Sequence, residues 1–400
     1  MPCRSRLALA LPSGTTGSCV FVSLSIGEWG HGLTLSDTPS WRLLVVLSTS
    51  RSLGRSSQKT MLATERSREL ARTLLGTWWK SGPFSNAQKF RQTWRQPCAE
   101  SGVCMPEMPS NLWQPHEPFS HDYAQRAEEG AARLRNSKVA FVGLARNCAV
   151  RLAQNLGHLE QLQDVCGSWS MHIESNDCED ATLDVLHDYC REKPQATFHY
   201  QILGREQHTS EFAGRRTIAL AEYRDSCQRW VKSCSADADY VCVIDWDAWG
   251  AWNHQGVLNG FGWLVELQGA YGMASTSLFQ YDFGSGPQWH HYDLWALRGV
   301  GQADCYFDTY QNGYGGFGYT WLPPVGSPPV LVSSAFGGLA IYRTEAYLRG
   351  TYDGVRDCEH VPFHESIARA TGQHLYLNPS QRMLMSWMET ADAANSLNRV

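Results

Sequence analysis

The sequence predicts an α/β domain with a mainly parallel mixed sheet flanked by helices, carried behind an N-terminal extension. Two observations lead to this reading. Short apolar runs such as KVAFVG (Lys138–Gly143) and YVCVI (Tyr240–Ile244) alternate with amphipathic helical stretches, the order that builds parallel strands and crossover helices. The chain of 400 residues is also 43% hydrophobic and only 18% charged, enough apolar material for a substantial core.

Along the chain, residues 1–60 are rich in Ser, Arg and Gly, hold only Glu28 and Asp37 as acids, and show no sustained periodicity. They read as a disordered or leader-like segment. Residues 61–136 read as a helical and irregular N-terminal extension. An amphipathic helix over Ala63–Lys80 aligns Leu70, Leu74, Leu75 and Trp78, a proline-rich linker covers residues 81–120, and a short helix covers His121–Arg135.

Residues 137–400 then form the main domain. After the strand at Lys138–Gly143, Asn147 is expected to cap a helix bearing Leu152, Leu156 and Leu159. A strand ends near Ile173, and Asp180 caps a helix that turns Leu183 and Leu186 inward. Phe198–Leu203 is strand-like, Arg216–Lys232 is helical, and Tyr240–Ile244 runs directly into Asp245. In parallel sheets ligands bind beyond the carboxyl ends of the strands, where Arg146, Glu174 and Asp245 all fall.

Composition narrows the function. A net charge of −5 gives no general pull towards nucleic acid or anionic membrane. No run of about 18 apolar residues predicts a transmembrane segment. Thirteen scattered Cys without a C-x-x-C pair argue against a zinc ribbon or a thioredoxin-type motif, and a reduced compartment is the simpler reading. The compartment itself stays open between the cytoplasm and the periphery of a secretory-pathway membrane. Sixteen Trp suit a packed core and sugar rings alike.

The sharpest feature is Asp245-Trp246-Asp247 at the end of an apolar strand. Hard oxygen ligands there suit Mn2+ or Mg2+, which take one or two protein carboxylates plus the phosphates of a substrate. Four segments occur in order around it: VAFVGLARN (139–147), IESNDCEDAT (173–182), RRTIALAEYRD (215–225) and DYVCVIDWD (239–247). HYDLWALR (291–298), SAFGGLAIYR (334–343) and DCEHVPFH (357–364) follow. Together they resemble the GT-A fold nucleotide-sugar glycosyltransferases, in particular family-2-like enzymes and capsule-associated mannosyltransferases, over about two-thirds of the chain.

The resemblance implies a metal-dependent hexosyltransferase, with a nucleoside diphosphate sugar as donor and a glycan or glycoprotein hydroxyl as acceptor. It implies a nucleotide-sugar site formed by Arg146, Glu174, Asp177, Arg216, Arg224, Asp245, Gly337 and Gly338, and metal ligation by Asp245 and Asp247 with His364 or His360 completing the shell. The segment bearing Glu174 and Asp177 carries one extra residue before Asp180, which blurs which acid meets the base and ribose. Arg216 and Arg224 are eight residues apart, about 12 Å along a helix, too far to clamp one phosphate together. In an inverting transfer a carboxylate must take the acceptor proton, with Glu359 the first choice and Asp357 the second. Trp295 and Asp293 suit sugar contacts, with an Asp293–Arg298 pair as the duller alternative. Gly313–Gly318 reads as a flexible loop. Two other readings stay open: a nucleotidyltransferase of similar layout, and a non-catalytic glycan-binding protein derived from a transferase fold.

Overall fold

The computed structural model describes residues 108–206, 214–282, 286–302 and 317–388, together with the backbone of three strands nearer the N-terminus. The chain divides into two units, Met1–Leu74 and Leu75–Val400. In the first, β1 (Arg6–Ala10), β2 (Phe21–Ile26) and β3 (Leu43–Leu47) pair as an antiparallel meander. The short apolar runs beginning at Leu7 and Leu43 lie in its outer strands. The helix expected over Ala63–Lys80 and most of the glycine-rich run Gly313–Gly318 lie outside the described residues.

The second unit holds a ten-stranded mixed sheet. On one side β4 (Lys138–Ala145), β5 (Ser168–Asn176), β6 (Ala196–Gln201) and β7 (Tyr240–Asp245) run parallel, with β5 and β6 to one side of β4 and β7 to the other. The direction in which the sheet grows therefore reverses between β4 and β7, and the crevice at their carboxyl ends is where such sheets take ligands. Beyond β7 the sheet continues through β12 (Leu339–Arg343), antiparallel to both β7 and β8 (Ala270–Tyr281). Outward from β8 follow β13 (His374–Ser386), β11 (Val330–Ser334) and the short β10 (Arg298–Gly299), while β9 (Gln288–His291) pairs with the other stretch of β8.

Helices cover both faces, so alternate residues of the central strands enter two separate cores. On one face Val139, Phe141, Cys242 and Ile244 meet α2 (Ala149–Gln163), α3 (Thr182–Glu192) and α5 (His254–Glu266). On the other, Ala140, Val142, Val241 and Val243 meet α4 (Arg215–Cys234) and α6 (His360–Thr371). Leu152, Leu156 and Leu159 of α2 are fully buried or nearly so, as their spacing predicts.

One local expectation changes. Asn147 does not cap α2, because its side-chain oxygen accepts the Glu179 N–H at 2.7 Å. Asp180 does the capping instead, accepting from Ala149 N at 3.0 Å while its other oxygen accepts from Thr182 N at the start of α3. One carboxylate thus secures two helix starts.

The helix α1 (Ser120–Leu134), expected as part of the extension, packs into the first core through Ala127 and Leu134. It crosses α5 with the backbones touching. A Cβ on Gly130 would lie 1.9 Å from the Leu258 carbonyl oxygen, and one on Gly262 would lie 2.0 Å from that of Arg126. Gly262→Ala is expected to lower the unfolding free energy by about 1–3 kcal/mol, since the helices must separate to admit the methyl. The measurement is a lower urea midpoint at unchanged slope.

Candidate functional site

The site grows from the end of β7. Ile244 pairs with Leu339 of β12, and Asp245 N donates to the Gly338 carbonyl at 2.8 Å. That carbonyl can face β7 because Gly337 and Gly338 both hold left-handed backbone, at φ 68° and 81°. A Cβ at Gly337 would also meet the Ser275 carbonyl oxygen at 2.1 Å. After Asp245 the side chains alternate. Trp246 is fully buried against Gly143 of β4, whereas Asp247 is exposed. The loop that follows is held from α2, where the buried Asn155 amide donates to the carbonyls of Trp246 and Ala248, both at 2.9 Å.

Arg224 of α4 lies beneath Asp245. Its Nη2 donates to Asp245 Oδ1 at 3.0 Å and its Nε to Glu359 Oε1 at 2.8 Å, with the guanidinium 4.8 Å above the Phe336 ring. The Arg224 and Glu359 side chains are only 5% and 2% exposed, so the pair is shut away from solvent. Burial pushes the Asp245 carboxyl up to about 7 against the pull of Arg224, and the neighbouring charges of Asp247 and Glu359 add to the rise. A site with one carboxylate too many for its cation is one that a divalent ion relieves.

This geometry revises several sequence expectations. Arg224 is committed to two carboxylates and is not open to a diphosphate. Glu359 sits in the same buried pair, its Oε1 accepting from Arg224 Nε. Asp357 is gripped by Arg298 Nη2 through both oxygens, at 2.7 and 2.8 Å, and the Asp293–Arg298 pair does not form. His364 is fully buried, with Nδ1 on Ser334 Oγ and Nε2 on Tyr342 Oη, both at 2.9 Å, so neither nitrogen is left for a metal. His360 lies flat against Phe336 at 3.9 Å, and burial holds its pKa well below the usual range.

The charges of Asp247, Arg216, Asp293 and Asp245 all act on the Tyr292 hydroxyl, which burial holds above its usual pKa. Asp293 accepts from Gly337 N at 2.8 Å and Ala296 N at 3.1 Å, tying the HYDLWALR segment to the glycine pair. Arg216 lies over the Trp295 ring at 4.9 Å.

Arg146, Glu174 and Asp177 converge at the ends of β4 and β5. Asp177, at φ 45°, accepts the backbone N–H groups of Leu203, Gly204 and Arg205. Arg146 Nη2 donates to the Arg205 carbonyl at 2.9 Å. Glu174 faces the other way, under α4, and accepts from His172 at 3.1 Å, His199 at 2.9 Å and Ser226 at 2.5 Å. Burial raises the Glu174 carboxyl, but these three hydrogen bonds outweigh it and bring the group down to about 2. A cavity of about 290 Å³ opens beside it, lined by Gln201, Arg205, Tyr223 and Ser226 among others.

Among the described residues no three His, Cys, Asp or Glu side chains converge to hold a metal ion. Asp247 and the free oxygen of Asp245 offer the one or two hard ligands that Mn2+ or Mg2+ takes from protein when substrate phosphates complete the shell, so this pair suits such an ion. The sequence reading missed Asn155 and Tyr292. The signal for Asn155 was an amide set within the leucine face of α2. Tyr292 gave none.

No protein-family model matches the chain, and neither does any curated protein. Similar solved structures include the mannosyltransferase PcManGT from Pyrobaculum calidifontis in complex with GDP-Man and Mn2+. It is 12% identical over 70% of this chain and 70% of that one, with a TM-score of 0.38. GalNAc-T7 with UDP, GalNAc and Mn2+ is 9% identical over 73% of this chain and 56% of that one, at 0.39. Glucosyl-3-phosphoglycerate synthase from Mycobacterium tuberculosis in complex with Mn2+, UDP and phosphoglyceric acid is 11% identical over 68% and 78%, at 0.37. All three are GT-A fold glycosyltransferases.

Two stability measurements probe this geometry. Arg224→Met leaves two carboxylates unpaired beneath the site and is expected to cost about 3–5 kcal/mol in urea unfolding. The depressed Glu174 pKa makes its contribution complete above the ordinary value of 4.5 and lost as pH falls towards about 2. Glu174→Gln is therefore expected to be less stable at pH 7 by roughly 3 kcal/mol, a gap that closes below pH 4 in parallel unfolding curves.

Proposed function

We propose that this chain is a metal-dependent glycosyltransferase that moves a hexose from a nucleoside diphosphate sugar to a hydroxyl of a glycan or protein. The observation that carries the reading is the split character of Asp245-Trp246-Asp247 at the crevice between β4 and β7. Asp247 is open to solvent while Asp245 is fixed by Arg224 and by the Gly338 carbonyl.

In this reading Asp247 is the principal ligand of Mn2+ or Mg2+, and the free oxygen of Asp245 supports it. A divalent ion held there supplies positive charge against the departing nucleoside diphosphate. The protein's own groups do the positioning. Arg146 and Asp177 fix the Leu203–Arg205 backbone that borders the nucleotide side, and Arg205 also lines the cavity beside Glu174. Gly337 and Gly338 let backbone approach the donor sugar closely, with no side chain to fend it off. Glu359 orients Arg224, and through it Asp245, rather than taking the acceptor proton. No described helix is long and apolar enough to cross a membrane.

Because Asp247 is exposed and makes no packing contact the fold needs, Asp247→Ala is expected to keep wild-type thermal stability. It should lower metal-dependent donor turnover by about a hundredfold or more, as removal of a preorganised charge partner does. Donor consumption is assayed with and without EDTA against GDP- and UDP-sugars. Unchanged turnover in the variant, or turnover indifferent to EDTA, overturns the reading. Release of pyrophosphate from a nucleoside triphosphate would instead identify a nucleotidyltransferase, and binding without turnover a glycan-binding protein.

A further inference from the structure

The C-terminal half of the sheet encloses an arginine that the proposed chemistry leaves without a task. Arg382 of β13 is fully buried, and its Nη2 donates to the Pro323 carbonyl. Its Nε and Nη1 have no hydrogen-bond partner. The other buried arginines of the domain each hold carboxylates, Arg224 those of Asp245 and Glu359 and Arg298 that of Asp357. Among the described residues no carboxylate pairs with Arg382, and burial draws its pKa down to about 9. A buried cation without an anion weakens the fold that holds it.

A second polar group faces the same spot. His291 of β9 is also fully buried, and its Nδ1 has no partner. Burial, and after it the Arg382 charge, draw the imidazole down to about 3, so it is neutral at pH 7 and carries one ring N–H. Strand register brings the two together. Arg382 pairs with Thr276 of β8 and His291 with Leu278, two residues further on, so both side chains leave one face of the sheet. The segment Trp321–Pro323 lies against them, with the Trp321 ring centre 6.1 Å from that of His291. Trp321 and Pro323 are themselves half-buried, which puts the pair one layer below the surface.

An apolar strip connects this pair to the crevice. Leu278 and Leu384 pack with Trp249, Trp289 and Leu322, and both indoles are half-buried. Trp249 lies two residues beyond Asp247, and its N–H donates to the Met385 carbonyl, three residues along β13 from Arg382. Chain geometry therefore keeps Asp247 and Arg382 within about 20 Å of each other. The side matters as much as the distance. β13 lies on the β12 side of β7, whereas Glu174 and Asp177 belong to β5 and its end, on the β4 side. A molecule that reaches from Asp247 towards Arg382 is thus the acceptor and not the nucleotide.

From this we infer that Arg382 and His291 form an anion subsite, which takes a phosphate or carboxylate group of the acceptor while Trp249 and Trp289 flank its sugar rings. The inference rests on the glycosyltransferase reading. Anionic oxygens suit the Nε–H and Nη1–H donors of Arg382, since hydrogen bonds between ions are the strong ones, and the His291 N–H adds a neutral donor. The strip supplies flat apolar faces for the rest of the molecule.

The test is thermal unfolding of the full chain, as wild type and Arg382→Met, in inorganic phosphate, glucose 6-phosphate, glucuronate, glucose or sodium chloride at matched ionic strength. In chloride, Arg382→Met is expected to be at least as stable as wild type, because an apolar side chain replaces an unpaired buried cation. A sugar acid at about a hundredfold above its Kd should raise the wild-type Tm by about 5 °C and leave that of Arg382→Met unchanged. A shift with glucose 6-phosphate identifies a phosphorylated acceptor, and one with glucuronate a carboxylated acceptor. Glucose should give none. No shift with either sugar acid, a shift with inorganic phosphate alone, or equal shifts in both proteins overturns the inference. The shift should persist when Mn2+ and the nucleoside diphosphate that wild type binds are present, and its loss there places the acid in the nucleotide site and overturns the inference. If Arg382→Met does not fold, His291→Phe carries the comparison, with sugar-acid affinity expected to fall about tenfold. Undiminished affinity in that variant overturns the inference. Donor turnover by wild type without any sugar-acid shift overturns this inference alone. A shift that depends on Arg382 in a protein that turns over no donor upholds the anion subsite and overturns the glycosyltransferase reading.

Discussion

The candidate site depends on a single buried cation. Arg224 joins the end of β7 to the start of α6 by donating to Glu359 through Nε and to Asp245 through Nη2, with Phe336 covering its face. Two anions and one cation in a dry setting are a poor source of net stability, because desolvation offsets most of the attraction. What such a group provides is discrimination, since any packing that separates α4, β7 and α6 leaves a naked buried charge. The three elements are far apart in sequence yet must meet for Asp245 to have its orientation. Glu359 and Asp245 are thus linked through one side chain, and the glycine pair that accepts the Asp245 N–H lies just beyond Phe336.

Much of the fold was legible in the chain. KVAFVG and YVCVI are apolar at both parities, so they could only be strands covered on two faces, and the leucines of α2 announced its buried stripe. Legibility failed where one residue serves two elements. Asp180 caps α2 from across a loop, and no local pattern separates that from the Asn147 cap that the spacing suggested. It failed again where α1 meets α5, since Gly130 of α1 and Gly262 of α5 reveal themselves only against the facing helix. Gly130 and Gly262 look like helix-weakening residues until the partner backbone sits within 2.0 Å or less of the missing Cβ atoms.

The residues of the candidate site were legible in the chain, and their partners were not. A sequence displays charge but not the partner of that charge. DCEHVPFH offered two acids and two histidines, an obvious pool for a base and a ligand, yet each was already engaged or enclosed. Glu359 went to Arg224, Asp357 to Arg298, His364 to Ser334 and Tyr342, and His360 to the face of Phe336. These partners come from strands and helices tens of residues away. Asp247 was the opposite case. It lies in the turn just past the end of β7, beyond the buried Trp246, and is exposed there.

The intervening residue, Trp246, anchors that turn. Trp246 turns its indole into the core against Gly143, where any Cβ would collide with the ring, and this fixes the β7 end flush with β4 at the crevice. With the middle residue anchored inward, the two carboxylates must leave on the other side. Asp245 is caught by Arg224, and Asp247 faces water. The pair is therefore unequal before any ion arrives: one carboxylate is oriented and partly neutralised, the other solvated and free to adjust. On the proposed reading, Asp245 would offer a divalent ion an oriented oxygen and Asp247 a solvent-exposed one. Among the described residues no cluster of three such side chains holds a metal ion, so the oxygens of a donor diphosphate would suit the remaining places.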